Sequence, residues 1–204
     1  KALKAIDETT FYPNKGKERL KSMIETRPDW CVSRQRVWGV PLPIFVNKKN
    51  NEILVDDEVF ENIAKIYEKE GSDCWFSDDP QKFLGNKYKS DDFDKLSDIV
   101  EVWFDSGSTH SFVLEKRDDL KWPASMYLEG SDQHRGWFHS SLLESCGTRG
   151  RAPFESILSH GFVVDGKGLK MSKSLGNVIA PEDILKKYGA DILRIWVASS
   201  NYAE

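Results

Sequence analysis

Two lysines and two serines lie close together in residues 170–174, which read Lys-Met-Ser-Lys-Ser. Residues 165–168 (Asp-Gly-Lys-Gly) predict a turn, and Gly166, Gly168 and Gly176 allow this segment to bend, because glycine reaches positive φ without a Cβ clash. A lysine ammonium is a flexible point charge that suits the negative charge of a leaving phosphate group. The pattern therefore indicates a polyphosphate-binding loop, but it is also compatible with a solvated surface loop or a modification site.

A second segment places polar side chains at the start of a helix. Residues 126–128 predict a short strand that ends at Gly130, and residues 132–146 have helical spacing. In α/β proteins, a strand, a glycine turn and a helix N-terminus form a ligand crevice. Asp132 and Gln133 would lie in the first helical turn, where they could exchange hydrogen bonds with ribose hydroxyl groups. The alternative is an aspartate that only favours the helix dipole, beside a tryptophan of the core.

Together with two further segments, these residues resemble the class I aminoacyl-tRNA synthetases. Residues 170–174 match the second signature of that family. Residues 102–110 and 130–138 are similar to the isoleucine-specific members, whereas residues 29–43 are shared with the valine- and leucine-specific ones. Four motifs in the family's order identify the chain as a member of the class I synthetases and favour the isoleucine-specific group.

The resemblance implies a ligase that joins L-isoleucine to tRNA(Ile). Such an enzyme forms isoleucyl-adenylate from the amino acid and ATP, which arrives with its Mg²⁺, and then transfers the aminoacyl group to the terminal ribose. Catalysis of the first step is mostly positioning and neutralisation of developing charge. The attacking carboxylate is already ionised, so no side-chain nucleophile or general base is needed. The parent enzyme is expected to be monomeric and cytoplasmic.

The resemblance also assigns roles to individual residues. Lys173 would be the main contact to the leaving pyrophosphate, with Lys170 secondary. Trp103 and Trp137 would form walls of the isoleucine pocket, although both could be ordinary core residues, because tryptophan is highly buried on average. The residues expected to bind ATP and the adenylate are Glu129, Gly130, Asp132, Gln133, His160, Gly161, Phe162, Val163, Met171, Ser172 and Ser174.

The order of predicted elements indicates an α/β protein. Strands over 99–104, 126–128 and 157–160 fit the second half of a Rossmann-like, parallel nucleotide-binding sheet, joined to a small α+β connective module. Further helices are predicted over 15–26, 59–67, 183–188 and 190–198. We expect four parts: a junction helix and entry to the core (1–41), the connective module (42–98), the C-terminal half of the catalytic domain with the lysine loop (99–180), and the start of a helical region (181–204).

The connective module is expected to be held by a hairpin and apolar contacts and not by zinc. The hairpin would pair residues 42–46 with 52–55, a helix would follow, and residues 72–98 would form an acidic loop. Related enzymes often carry cysteine pairs for structural zinc in this region. Here Cys74 is the one cysteine of the module and has no histidine nearby, so four tetrahedral ligands are not available.

Composition limits the class of protein further. The 204 residues are 39% hydrophobic and include seven tryptophans, which is enough material for a core. The sequence shows no membrane-length apolar run and no signal peptide, and three cysteines without a pairing pattern fit a reducing compartment. A net charge of −4 gives no global reason to bind nucleic acid. Residues 149–173 carry five basic against two acidic side chains, which predicts a modest positive face.

The first signature of class I synthetases, His-Ile-Gly-His or a close variant, is absent. No histidine of the chain has another three positions away. We therefore expect a piece of a longer enzyme that starts just after an editing domain and is inactive alone. Three alternatives stay open: a valyl- or leucyl-type synthetase, a different α/β nucleotidylyl transferase, and a non-catalytic module that binds nucleotide, RNA or protein.

Overall fold

The computed structural model describes residues 1–201, which divide into two compact units. The first unit combines residues 1–27 with the chain from Gly107 onward, and the second unit is Pro28–Ser106. The four-part division suggested by the sequence has its boundaries at other residues and stays a prediction. Within the described residues, no helix has the length and the apolar character that crossing a bilayer requires.

The chain forms short helices and strands. The α-helices are α1 (Ala2–Glu8), α2 (Lys15–Glu25), α3 (Asp57–Glu70), α4 (Cys74–Ser77), α5 (Pro80–Leu84), α6 (Val102–Gly107), α7 (Trp137–Thr148), α8 (Pro181–Tyr188) and α9 (Ala190–Ser199). The strands are β1 (Thr10–Tyr12), β2 (Ser33–Arg34), β3 (Phe45–Asn47), β4 (Phe93–Lys95), β5 (Ile99–Val100), β6 (Tyr127–Gly130) and β7 (Ser156–His160). The helices predicted over 15–26, 59–67, 183–188 and 190–198 are confirmed as α2, α3, α8 and α9.

A three-stranded parallel sheet in the order β1-β7-β6 forms the centre of the first unit. Ile157 of the middle strand pairs with Phe11 on one side and with Tyr127 on the other. Helices α1, α2 and α7 supply fully buried side chains to its core, namely Ile6, Leu20, Phe138 and Leu142. Burial of each such side chain contributes about 1.5–3 kcal/mol. The α/β class and strands β6 and β7 agree with the sequence prediction, whereas β1 was not predicted.

In the second unit, the predicted hairpin is reduced to one bridge, between Val46 and Ile53. The main partner of β3 is β4, which lies antiparallel to it along its whole length. The reason is burial, because Phe45 and Phe93 join one apolar cluster while Ile53 is 56% exposed. Pairing of β3 with β4 is therefore more stabilising than pairing with the segment around Ile53, because both strands bury an apolar side chain in the same cluster.

The segment 72–98, expected to be an acidic loop, contains α4, α5 and β4, so that expectation is wrong. Asp79 explains part of the difference, since its carboxylate accepts a hydrogen bond of 2.8 Å from the Gln81 N–H at the start of α5. Aspartate is a favoured N-cap as well as a loop residue. Trp75 is fully buried and donates from Nε1 to the Leu96 carbonyl oxygen at 2.7 Å. An apolar cluster therefore holds this unit together.

The strand predicted over 99–104 is wrong beyond its first two residues. β5 ends at Val100 and pairs antiparallel with β2, outside the parallel sheet. Helix α6 then starts at Val102, and the Glu101 carboxylate accepts a hydrogen bond of 3.0 Å from the Trp103 N–H. This interaction satisfies a donor at a helix start, which allows an apolar run to fold as a helix.

Candidate functional site

The carboxyl ends of β6 and β7 bring two of the sequence motifs side by side. Gly130, the last residue of β6, pairs with His160, the last residue of β7, and Glu129 pairs with Ser159. Because the strands are parallel, the segments that follow them leave the sheet at the same edge. Most of the residues expected to bind ATP therefore lie at this edge of the sheet or on the segments that leave it.

Gly130 leaves room for the Asp132 side chain where β6 ends. A Cβ at this position would lie 2.7 Å from Asp132 Oδ1 and 3.7 Å from His160 Cε1. The Asp132 carboxylate thus folds back over the end of the strand. The Gly130 N–H donates to Glu129 Oε2 at 2.9 Å, so a second carboxylate also lies beside this strand end. Two acidic groups at one strand end suit hydroxyl and ammonium donors.

The helix that follows β6 starts later than predicted. A 3₁₀ turn over Ser131–Arg135 comes first and α7 begins at Trp137, so the prediction of a continuous helix over 132–146 is wrong at its start. Gln133 explains the break, because its Oε1 accepts a hydrogen bond of 2.9 Å from the Trp137 N–H. Its amide nitrogen carries the two N–H donors that could meet a ribose hydroxyl group.

Residues 161–177 form a loop that folds back on itself after β7. An antiparallel bridge joins Val164 to Lys170. The predicted turn between them is confirmed: Gly168 has a φ of 77° and donates from its N–H to the Asp165 carbonyl oxygen at 2.9 Å. No residue of this loop is buried, so hydrogen bonds and not packing must define its shape.

The two lysines of residues 170–174 have different surroundings. Lys170 places Nζ 3.5 Å from the centroid of the Phe162 ring, which is a cation–π contact. Lys173 lies on a short 3₁₀ turn that ends at Leu175, and its side chain is exposed. Ser172 caps this turn, because its Oγ accepts from the Leu175 N–H at 3.3 Å. Both side chains are exposed, but Lys170 lies against the Phe162 ring of the loop, whereas no ring contact is found for Lys173 among the described residues.

The other predicted loop residues contact one another. The Met171 N–H donates to the Val163 carbonyl oxygen at 3.4 Å, which extends the bridge of the loop. The hydroxyl oxygens of Ser172 and Ser174 are 3.2 Å apart. Sequence reasoning missed Asn177, whose side chain also bonds within the loop. The signal was available, since asparagine after glycine is a common turn residue whose amide bonds nearby backbone.

The predicted positive face over 149–173 is smaller than expected. Arg149 forms an ion pair of 2.9 Å with Glu115, and this pairing offsets its charge on the face. Arg151 lies over the Trp122 ring, 5.7 Å from its centroid, and the other cations of this segment are the three loop lysines. Among the residues that the structure describes, Lys167, Lys170 and Lys173 form no ion pair with an acidic side chain. The positive charge therefore concentrates on the loop.

The family profile for class I tRNA synthetases (I, L, M and V) matches residues 1–204. This chain belongs to that family. Among curated relatives, it is 86% identical to isoleucine–tRNA ligase of Pelagibacter ubique and 60% identical to that of Brucella abortus. Both matches cover 100% of the chain but only 22% and 21% of the relatives. The synthetase chain thus spans about a fifth of the length of the curated relatives it matches.

Solved structures of synthetases share the fold. A leucyl-tRNA synthetase from Agrobacterium radiobacter, solved with tRNA and LeuAMS, matches with a TM-score of 0.57 and 23% identity over 86% of this chain and 24% of its own. A methionyl-tRNA synthetase from Mycobacterium tuberculosis, bound by methionyl-adenylate, matches with a TM-score of 0.58 and 19% identity over 96% and 30%. These likenesses support the α/β fold of the synthetase chain.

The two tryptophans predicted to line the amino-acid pocket belong to different units. Trp137 stacks on Tyr127 with ring centroids 4.0 Å apart and planes inclined by 5°. It therefore packs against the core of the first unit with one face. Trp103 lies on α6 and is 42% exposed. Whether both residues border isoleucine in the synthetase stays a prediction.

Two histidines near the strand ends bond to backbone carbonyl groups. His160 Nδ1 lies 2.7 Å from the Gly161 carbonyl oxygen, and His134 Nδ1 lies 2.8 Å from that of Ser131. Burial lowers the pKa of His134, which favours the neutral ring at neutral pH. The ring packs edge-on against Phe138. In the portion 1–201, no group of three or more His, Cys, Asp or Glu side chains could hold a metal ion. The expectation of a zinc-free segment stays a prediction.

Proposed function

We propose that this chain is part of an isoleucine–tRNA ligase, which activates L-isoleucine with ATP and transfers it to tRNA(Ile). The observation that carries this proposal is the pairing of Gly130 with His160, from which the acidic turn and the lysine loop leave the same sheet edge. The identities of 86% and 60% to isoleucine–tRNA ligases support the choice of amino acid. A cytoplasmic, monomeric parent is part of the same proposal.

The reaction needs a cation that binds the polyphosphate of ATP more than it needs a general base. An isoleucine carboxylate oxygen attacks the α-phosphorus of ATP, a new O–P bond forms, and the bond to the pyrophosphate oxygen breaks. Negative charge grows on the departing pyrophosphate, and the exposed Lys173 ammonium is suited to stabilise it. Lys170, held against Phe162, would add a second charge nearby. The Mg²⁺ would arrive with ATP, and we assign none of the described residues to it.

The strand ends would hold the adenylate. Asp132 and the amide nitrogen of Gln133 suit the ribose hydroxyl groups, and Glu129 suits the isoleucine ammonium. The backbone of residues 161–163 beside His160 would border the adenine. The methionyl-tRNA synthetase that is bound by its adenylate, and the leucyl-tRNA synthetase in complex with tRNA, support an adenylate and a tRNA as ligands of this chain's parent.

ATP–pyrophosphate exchange tests the proposal. A full-length chimera would carry this chain in place of the matching 22% of the Pelagibacter ubique ligase. We expect exchange that depends on isoleucine and is weaker with valine and leucine. Faster exchange with valine or leucine would contradict the isoleucine assignment. Absence of exchange with every amino acid, by a folded chimera, would favour a non-catalytic module. The isolated 204-residue chain is expected to show no exchange.

A further inference from the structure

We propose that Asn177 positions the lysine loop for pyrophosphate by joining its backbone to the Asp165 carboxylate. This inference rests on the proposed function, since it concerns how Lys173 is placed for catalysis. Asn177 lies beyond the five-residue signature and its side chain is half-buried. It is a positioning residue, because it acts through other residues and not on the substrate.

The Asn177 amide makes three hydrogen bonds, and all of them lie within the loop. Its Oδ1 accepts from the Ser172 N–H at 2.9 Å. Its Nδ2 donates to Asp165 Oδ2 at 2.9 Å and to the Lys170 carbonyl oxygen at 3.3 Å. An amide offers two N–H donors, so both are used here. One side chain thereby fixes the peptide groups on either side of Met171.

Asp165 is itself held in place, which makes it a firm anchor. Its Oδ1 accepts from the Lys167 and Leu169 N–H groups, both at 2.9 Å. The hydrogen bond from Asn177, followed by those two backbone donors, lowers the pKa of Asp165, so the carboxylate is charged at neutral pH. A charged acceptor roughly doubles the strength of a hydrogen bond. It also fixes which end of the Asn177 amide carries the nitrogen.

The three hydrogen bonds of Asn177, which we call the latch, lie next to Lys173, whose ammonium group must be placed for catalysis. The Ser172 N–H that Asn177 accepts lies one residue before Lys173, and Ser172 also caps the turn on which Lys173 lies. No residue of the loop is buried, so apolar packing does not hold its backbone. Catalysis by a positioned charge is sensitive to small displacements, and a shift of about 1 Å can cost on the order of 100-fold in rate. Loss of the latch should therefore lower the rate and leave isoleucine binding intact.

Swapping the amide of position 177 and the carboxylate of position 165 gives a specific test in the full-length chimera. Asn177→Ala removes all three hydrogen bonds. Asn177→Asp keeps the shape but puts a carboxylate oxygen against Asp165 and against the Lys170 carbonyl oxygen. The double variant Asp165→Asn/Asn177→Asp restores a donor at position 165 facing an acceptor at position 177. It should therefore recover part of the loss, because it remakes the bond between the two side chains with donor and acceptor exchanged. Asn50→Ala, which removes a side-chain contact to Glu52 in a turn of the other unit, is the matched control.

The readout is kcat and KM in ATP–pyrophosphate exchange, with thermal unfolding as a check of the fold. We expect Asn177→Ala to lower kcat by about 10- to 100-fold with the isoleucine KM within twofold, and Asn50→Ala to leave both unchanged. A kcat within twofold of the parent for Asn177→Ala, or no recovery in the double variant, would overturn the latch. So would a failure of the variants to fold, since Asn177 would then have a global role. An inactive parent chimera would instead count against the proposed function.

Discussion

Gln133 Oε1 accepts a hydrogen bond of 2.9 Å from the backbone N–H of Trp137. One side chain thus connects the turn after β6, where we place the ribose, to the first residue of the core helix α7. The oxygen of the amide serves the helix, and the nitrogen is the part suited to a ligand. The two ends of this side chain can therefore be tested separately.

Gln133→Glu should keep the helix start and lose the ligand contact. A carboxylate still accepts from the Trp137 N–H and suits the positive end of the helix. Gln133→Ala should lose both and lower the free energy of unfolding by about 1 kcal/mol, as for loss of a cap. Thermal unfolding and the KM for ATP in the chimera check this. Equal KM values for ATP in Gln133→Glu and the parent would mean that the amide N–H donors of Gln133 do not bind ATP.

Lys173→Ala should mainly slow adenylate formation. The charge it is proposed to meet develops in the transition state, so kcat in pyrophosphate exchange should fall by roughly 100-fold, or about 3 kcal/mol, with the isoleucine KM little changed. Lys167→Ala is the matched control, because it removes a lysine from the tip of the turn and keeps the backbone N–H that Asp165 accepts. A normal rate for Lys173→Ala would make the loop a surface feature.

Gly39→Ala should destabilise the second unit more than Gly71→Ala does. Gly39 has a φ of 148°, and a Cβ there would lie 2.4 Å from Ile99 Cδ1, so strain and a steric clash add. Gly71 has a φ of 82° with nothing within 4 Å of an added Cβ, so only the strain remains. We expect losses of about 2–4 and about 1 kcal/mol, measured by urea unfolding of the 204-residue chain. Similar losses for the two variants would refute the clash.

Asp56 should contribute a stability that is lost in acid. Hydrogen bonds from Lys87 and then Tyr88 lower its pKa from 3.8 to about 2. A carboxyl group with a lowered folded-state pKa stabilises the protein above its unfolded pKa, and this contribution disappears as the pH falls from about 4 to 2. The difference in urea midpoint between the parent and Asp56→Asn should therefore shrink between pH 5 and pH 2. A difference that stays constant across this pH range would contradict the assignment.

The sequence predicted the features that depend on local residue types. The glycine turn at residues 165–168 and strands β6 and β7 follow from composition and spacing alone. β1 was missed because three residues are too few to show a period, and its partner Ile157 is distant in the chain. The bond between Asn177 and Asp165 was missed for a similar reason, since it requires the path of the whole loop. The strand predicted over 99–104 stops early because the Glu101 carboxylate accepts a hydrogen bond from the Trp103 N–H at the start of α6. The hydrophobicity of the sequence does not reveal this contact.

The pairing of β1 with β7 has a consequence for synthesis on the ribosome. Phe11 is made before the whole of Pro28–Ser106, and its partner Ile157 is made after it. At ~5–20 residues per second, the first strand waits on the order of 10 to 30 seconds for the strand it pairs with. During that time the second unit is already complete in sequence and can fold, while the nascent β1 still exposes its unpaired backbone. Slow elongation within residues 107–160 would therefore prolong the exposure of β1, and chaperone binding within this part of the nascent chain should concentrate on residues 1–27.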